Sequence, residues 1–217
     1  MTSKRLPNQT IFIPVGLPCA GKTSFFQCLS EMPGVGDNVA LISPDEIREE
    51  VYPGYAAGLV PFRDIDNGEI FPKAYTRMEG RILDGWDIWF DAVNVSQGSR
   101  LMIYGCAEAT TRLNPNFVGG DLHYVILVLD VPVDQILARN EANRVGHRRP
   151  SEKVIASMWS ESTEELTYLP TDRAEVWRLR WDGEWKMADG FEPPAICVDL
   201  VEAVNGMFTG KRAKRAP

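Results

Sequence analysis

The sequence predicts an α/β protein built on a doubly wound parallel sheet. Short apolar runs alternate with helix-compatible stretches along most of the 217 residues, which is the order expected of such a sheet. The run 123–130 (HYVILVLD) is almost continuously apolar, as in strands that are buried on both faces. A glycine-containing turn joins the apolar run 11–15 to a stretch that is compatible with a helix.

The composition is that of a globular protein with about one α/β domain, since 44% of the residues are hydrophobic. A formal net charge of −7 argues against a surface for indiscriminate nucleic-acid binding but allows a local basic channel. Four widely spaced cysteines predict neither a zinc site nor a disulfide framework. With no apolar run of membrane-spanning length and no signal peptide, we expect a cytoplasmic protein without a membrane partner. The sequence does not indicate the oligomeric state.

The turn after the first predicted strand reads GLPCAGKT and matches the pattern G-x-x-x-x-G-K-[ST]. Glycines let backbone N–H groups approach phosphate oxygens, and a helix N-terminus adds positive partial charge. Lys22 would reach the β- and γ-phosphates of ATP, and Thr23 would hold Mg²⁺. The alternative is a glycine-rich turn that matches by chance. The predicted nucleotide-binding residues are Gly16, Leu17, Pro18, Cys19, Ala20, Gly21, Lys22, Thr23 and Ser24.

A second short apolar run, 39–42, predicts another buried strand, and Ser43 followed by Pro44 predicts the start of a helix. Asp45 and Arg48 are three residues apart and so share one face of that helix. They form either an acceptor site that faces the phosphate loop or an ordinary ion pair at a helix start.

The middle of the chain predicts further elements of the sheet. Residues 53–68 are rich in Gly, Pro and Asp and predict an irregular segment, which could contribute to a substrate cleft. A helix is expected over 69–84, a strand over 86–91 and a helix over 99–109. The strand ends in Asp91, which would either help to hold Mg²⁺ or cap the following turn.

An arginine-rich stretch follows the predicted strand 123–130. A helix is expected over 133–141, and four arginines then fall within eleven residues at 139, 144, 148 and 149. Guanidinium groups suit phosphate oxygens, so 139–150 predicts a lid over phosphates. The alternative is a solvated basic loop or a nucleic-acid contact. We expect His147 to be incidental and His123 to be structural.

The region after residue 170 has a different pattern. Alternating apolar and charged residues flank Asp182-Gly183, which predicts a β-hairpin. Alternation places Trp177, Leu179 and Trp181 on one side, where they would pack on the domain; the alternative is that the tryptophans stack bases. A strand is expected over 195–198, a helix over 200–208 and a basic tail over 211–215.

The order of these blocks resembles the kinase domain of bacteriophage polynucleotide 5′-hydroxyl kinases and their P-loop relatives, which include viral hydroxymethyluracil DNA kinases. The blocks are GLPCAGKT, SPDEIRE, FDAVN with a following arginine, and LDVPVDQILARNEANRVGHRRP, over about residues 10 to 165. The resemblance implies a P-loop kinase core over 1–170 with a lid at 139–150. Residues 171–217 would be a small C-terminal hairpin addition, with a strand, a helix and a tail on the same domain.

The resemblance also implies roles for single residues. Asp45 would be the general base, and Arg48 would hold a phosphate of the acceptor. The residues implied at the ATP and Mg²⁺ sites are Lys22, Thr23, Asp91, Arg139, Arg144 (on the transferring phosphate) and Arg148. Either Arg148 or Arg149 could share or take over the role of Arg144. The usual Asp-x-Thr-Asn turn is here Asp91-Ala92-Val93-Asn94, and no Asp-x-Asp-Gly-Thr phosphatase motif is present.

The function implied is transfer of the γ-phosphate of ATP to the 5′-OH of DNA or RNA, in the host cytoplasm if the protein is viral. Three alternatives stay open at this stage. They are a DNA kinase that acts on hydroxymethyluracil bases, a nucleoside or small-metabolite kinase, and a nucleotide-dependent switch or binding module.

Overall fold

The structure, a computed structural model, describes residues 8–114, 121–142, 150–165, 174–188 and 194–208. Strands and helices alternate through most of these ranges. The strands are β1 (Gln9–Val15), β2 (Val39–Ile42), β3 (Asp87–Phe90), β4 (Leu122–Asp130), β5 (Glu175–Trp181) and β6 (Trp185–Met187). The helices are α1 (Lys22–Ser30), α2 (Pro44–Val51), α3 (Asn67–Leu83), α4 (Gln97–Leu113), α5 (Val133–Ala142), α6 (Glu152–Glu165) and α7 (Ala195–Phe208).

The strands form one sheet in the order β2-β3-β1-β4-β5-β6. The first five are parallel, and Ile11 of β1 lies between Ile88 of β3 and Tyr124 of β4. Only β6 runs antiparallel within the described residues, paired with β5. The predicted doubly wound parallel sheet is therefore confirmed.

Helices cover both faces of the sheet because the central strands are apolar on both sides. Ile11 and Ile13 of β1 pack with α3 and α4 on one face, where Met78 and Ile103 are buried. Phe12, between them in sequence, packs on the other face with α1 and α7. This two-sided burial explains why the strand sequences are continuous apolar runs.

The carboxyl ends of β1, β2 and β3 bring three polar segments to one edge of the sheet. The amide of Asp91 donates to the carbonyl of Ile42, and the amide of Gly16 donates to the carbonyl of Val93. The segments that begin at Gly16, Ser43 and Asp91 are thus joined directly after their strands. Ligands of open α/β sheets bind outside this edge.

The predicted hairpin is present, with Asp182-Gly183 in its turn and Gly183 at a φ of 104°. Its first strand belongs to the parallel sheet, since β5 pairs along β4 from Glu175 to Arg180. Trp177 and Leu179 are buried, as expected from the alternation, and Trp181 is half-buried. The hairpin is therefore continuous with the core sheet.

The expected strand over 195–198 is wrong, because these residues form the first turn of α7. The amides of Cys197 and Val198 both donate to the carbonyl of Pro194, which starts the helix. Four apolar residues in a row do not distinguish a strand from a buried helix, and here the burial of Cys197, Leu200 and Val204 follows the helical period.

The remaining predicted elements exist with shifted ends. Helix α3 begins at Asn67, inside the segment expected to be irregular, and α4 extends on both sides of 99–109. Strand β3 ends at Phe90, one residue before Asp91. Among the described residues, no helix is both long enough and apolar enough to cross a membrane.

Candidate active site

The turn between β1 and α1 is the predicted phosphate loop. Gly21 has a φ of 103° and Cys19 a φ of 63°, so two residues of this loop are left-handed. A Cβ at Gly16 would lie 3.1 Å from the Cβ of Ala20 and 3.3 Å from that of Leu129. Glycine at 21 is therefore explained by its backbone angle, and glycine at 16 by close packing.

Lys22 points back into this loop. Its Nζ donates hydrogen bonds of 2.9 Å to the carbonyl oxygens of Gly16 and Leu17, and the residue is 9% exposed. Burial lowers the pKa of the Lys22 ammonium, and the nearby carboxylates of Asp91 and Asp45 oppose that shift. The ammonium thus lies where phosphate oxygens held by the loop amides would meet it.

Thr23 and Asp91 form the pair expected to bind a metal ion. The Thr23 hydroxyl donates to Asp91 Oδ2 over 3.1 Å. Burial raises the pKa of the Asp91 carboxyl, while Lys22 and the hydrogen bond from Thr23 oppose this rise. A hydroxyl and a carboxylate beside a phosphate site are ligands that suit Mg²⁺, which binds few protein oxygens and keeps waters and phosphate oxygens. The two residues therefore fit the predicted metal.

The turn after β3 is held by two residues that were not assigned a role from sequence. Asn94 is buried, has a φ of 51°, and donates from Nδ2 to the carbonyls of Pro14 and Phe90. Arg100, fully buried in α4, donates to the carbonyls of Asn94 and Val95. Asn94 thus ties the end of β3 to β1. The only sequence signals were the FDAVN block and the arginine that follows it.

Helix α2 carries the predicted acceptor pair, a carboxylate and a guanidinium. The Ser43 hydroxyl caps the helix by accepting a hydrogen bond from the amide of Glu46, as expected. Arg48 Nη1 donates to Asp45 Oδ1 over 2.6 Å, while Nε and Nη2 of Arg48 donate to Asn67 Oδ1. Arg48 is 9% exposed, so this pair is more than a solvated contact at a helix start.

One oxygen of the Asp45 carboxylate accepts hydrogen bonds, and most of the side chain is exposed to solvent. Oδ1 also accepts a hydrogen bond from the Tyr55 hydroxyl over 3.2 Å, whereas 70% of the side chain is exposed. The charge of Asp45 acts on the pKa of both Lys22 and Asp91. Asp45 therefore lies within electrostatic range of the predicted phosphate and metal residues.

Arg139 of α5 also contacts the predicted phosphate loop. Its Nη1 donates to the carbonyls of Cys19 and Ala20, each over 3.4 Å. The guanidinium carbon is 4.5 Å from the ring centre of Trp181 and 5.9 Å from that of Phe208. Arg139 is thus placed by two residues from the C-terminal part of the chain, and the role of Phe208 was not predicted.

The hairpin formed by β5 and β6 also packs against the predicted phosphate loop. Trp185 is 1% exposed, and its ring lies 5.1 Å from that of Phe25 in α1. A Cβ at Gly21 would meet the Trp185 ring at 3.7 Å. Asn205 of α7 accepts from the amide of Trp185 and donates to its carbonyl. Residues from the C-terminal part of the chain therefore pack against the predicted phosphate loop.

The other predicted lid residues, Arg144 and Arg148, lie outside the described residues, as do His147 and Arg149. His123 lies on β4, where it contacts Glu175 at 3.2 Å. No group of three or more His, Cys, Asp or Glu side chains that could hold a metal ion is found within the described ranges.

Comparison with known proteins finds solved structures that have a similar architecture. A chain in the structure of the Pnkp1/Rnl/Hen1 RNA repair complex is similar with a TM-score of 0.58 at 16% identity, over 76% of this chain and 47% of that chain. A fungal RNA kinase is similar over 98% of this chain and 92% of that chain, with a TM-score of 0.53 and 15% identity. This chain has the fold of P-loop kinases.

The same kinase fold is found in proteins with other acceptors. A sugar kinase from Janibacter sp. HTCC2649 is similar with a TM-score of 0.51 at 16% identity, over 96% of this chain and the whole of that chain. The chain spans about half the length of the matched RNA repair chain. No protein-family model and no curated protein matches the sequence.

Proposed function

We propose that this protein is an ATP-dependent phosphotransferase whose acceptor is a hydroxyl of a nucleic acid, namely the 5′-OH of DNA or RNA. One observation carries the proposal. The solvent-exposed carboxylate of Asp45 is bound to Arg48 and acts electrostatically on Lys22 and Asp91. A carboxylate that could act as a base, together with a cation, supports an acceptor site near the residues that would hold ATP.

The ATP side of the reaction uses the loop and its neighbours. Backbone amides of the loop that begins α1 would bind the phosphates, and Lys22 would neutralise charge on their oxygens. Thr23 and Asp91 would hold Mg²⁺, which supplies electrostatic stabilisation of the phosphate oxygens when bound. Arg139 is placed at the loop carbonyls, and Arg144 or Arg148 would add a further cation from the lid.

The acceptor side uses α2. Asp45 takes the proton of the acceptor hydroxyl as the hydroxyl oxygen forms its bond to the γ-phosphorus. The bond between that phosphorus and the β,γ-bridging oxygen breaks, so ADP leaves with the bond electrons and the proton ends on Asp45. Arg48 orients the acceptor through its phosphate, because transfer depends mainly on in-line positioning and cation contacts.

A small-molecule kinase is the second candidate. The similarity to a sugar kinase covers 96% of this chain, and the net charge of −7 suits a small acceptor as well as a polymer. A hydroxymethyluracil DNA kinase would use the same residues on a hydroxyl carried by a base. A nucleotide-dependent switch would need no acceptor pair such as Asp45 and Arg48.

The deciding experiment gives the protein γ-labelled ATP and a panel of acceptors. The panel contains 5′-OH oligonucleotides of DNA and RNA, hydroxymethyluracil DNA with blocked 5′ ends, free nucleosides and simple sugars. We expect label on the 5′-OH oligonucleotides. Label only on the blocked, base-modified DNA or only on the small molecules would overturn the proposal, and slow release of phosphate without acceptor labelling would favour the switch.

A further inference from the structure

The segment between α2 and α3 is irregular in sequence but firmly attached beside the acceptor residues. Tyr55 and Ile65 are buried in the core on its inner side. The Glu49 carboxylate accepts hydrogen bonds from the amides of Gly54 and Ala56, which lower the pKa of Glu49. The segment therefore presents its outward side chains on a fixed backbone.

Phe62 is one of these outward side chains. It begins the short helical turn Phe62–Asp64, which the amide of Ile65 closes by donating to the Phe62 carbonyl. Half of the Phe62 surface is exposed to solvent. A single exposed aromatic residue is common on protein surfaces, so the location of this ring is what matters.

The Phe62 ring lies against the acceptor residues. Its centre is 5.8 Å from the guanidinium carbon of Arg48, whose Nη1 contacts Asp45 Oδ1 at 2.6 Å. The rings of Tyr55 and Phe71 lie at similar distances from Arg48, 5.9 and 5.7 Å. Of the three rings, Tyr55 is buried and Phe71 is half-buried, whereas Phe62 is exposed.

The guanidinium of Arg48 has more donors than the described residues use. Bonds to Asp45 and Asn67 use three of the five N–H groups of its guanidinium among the described residues. In the function proposed above, Arg48 would hold a phosphate of the acceptor and Asp45 would meet its hydroxyl, so the acceptor nucleotide would lie beside both residues. The exposed Phe62 ring lies beside the same pair, 5.8 Å from the Arg48 guanidinium.

We propose that Phe62 stacks the nucleobase of the nucleotide that carries the reacting hydroxyl. This inference rests on the function proposed above and specifies its acceptor, which must offer a flat ring and a phosphate together. A polyol offers neither a ring to stack nor a phosphate for Arg48. Stacking tolerates any base, so the site would accept different terminal nucleotides.

The test measures transfer to two 5′-OH oligonucleotides that differ only at the first residue, which carries a base in one and is abasic in the other. We expect the missing base to raise KM for the acceptor roughly 5- to 150-fold in the unmodified protein, the range found for one stacked base. Phe62→Leu should raise KM for the normal acceptor by a similar factor and leave KM for ATP unchanged. In the Phe62→Leu protein, the abasic acceptor should have nearly the same KM as the normal acceptor, because both changes remove the same contact.

Two further variants serve as controls. Phe62→Tyr keeps the ring and should retain the normal acceptor KM. Leu113→Ala removes an exposed apolar side chain at the end of α4, 80% exposed, and should change neither KM.

Three outcomes would count against the inference. Equal transfer to the abasic and normal ends would overturn the stacking role while leaving the 5′-kinase proposal intact. A rise in KM for ATP in Phe62→Leu would instead assign Phe62 a role in folding of the site. Transfer to sugars and to no nucleic acid would overturn both proposals.

Discussion

The Thr23 hydroxyl donates a hydrogen bond of 3.1 Å to Asp91 Oδ2 across 68 positions of sequence. We expect Asp91→Asn to lower transfer and to raise the Mg²⁺ concentration needed for half-maximal rate, because the amide is a weaker ligand for a hard cation. Titration of the initial rate with Mg²⁺ at fixed ATP measures this. An unchanged Mg²⁺ requirement would contradict the metal role.

The same variant should stabilise the protein at neutral pH in the absence of ligands. Burial raises the pKa of folded Asp91, so the folded state favours the protonated form. The stability associated with this group is present below its unfolded pKa of about 3.9 and is lost as pH rises through the folded pKa. Asparagine does not ionise, so Asp91→Asn removes that loss of stability. Thermal melts at pH 4 and pH 7 should show a higher melting temperature for the variant only at pH 7. A lower melting temperature for Asp91→Asn at pH 7 would contradict this account.

Asp45→Asn should abolish transfer while sparing ATP binding. A general base contributes typically 10²- to 10⁴-fold, so kcat should fall by about that factor. Glu46→Gln, which changes the next carboxylate on the exposed side of α2, is the matched control and should keep its activity. The measurements are acceptor labelling and a nucleotide-binding titration, and retained transfer in Asp45→Asn would exclude the role of base.

Trp181→Ala should weaken ATP binding through Arg139. The ring lies 4.5 Å from the guanidinium, and such contacts contribute about 0.5 to 2 kcal/mol, which predicts a roughly 2- to 30-fold rise in Kd. Trp86→Ala removes a similar contact, with Arg81, far from the phosphate loop and serves as the control. Equal Kd values for the two variants would show that Trp181 does not place Arg139 for nucleotide binding.

Asn205→Ala should destabilise the support beneath the phosphate loop. It removes two hydrogen bonds to the backbone of Trp185, and leaving such groups unpaired costs about 1 to 3 kcal/mol of unfolding free energy. Asn38→Ala loses one exposed bond to Gly85 and should cost less. Denaturant unfolding measures both, and equal losses would argue against a structural role for Asn205.

The lid prediction assigns a larger effect on transfer to Arg144 than to Arg148. Arg144→Ala should lower transfer about a hundredfold or more if its guanidinium contacts the transferring phosphate, with little change in unfolding free energy. Arg148→Ala should have the smaller effect. The opposite ranking in single-turnover rates would assign the transferring phosphate to Arg148.

Local sequence patterns were sufficient for the glycine turn after β1, the parallel sheet and the contact between Asp45 and Arg48. The left-handed conformation of Gly21 and the capped start of α2 depend on a few neighbouring residues. A buried parallel strand has an apolar sequence along its whole length, so it can be recognised from that sequence alone. The expected strand over 195–198 was wrong because a four-residue apolar run carries no period. Asn94 was not assigned a role because its partners, Pro14 and Phe90, lie on two different strands.

The arrangement around the loop was decided by tertiary packing. Arg139, Trp181 and Phe208 meet only because β5 joins the sheet beside β4 and α7 returns to pack on α1. Trp185 reaches Gly21 for the same reason. The sequence therefore determined which residues could bind phosphate, since that depends on local backbone and side-chain chemistry. The folded structure decided what supports them, because contacts between distant residues depend on the order of strands and on side-chain packing.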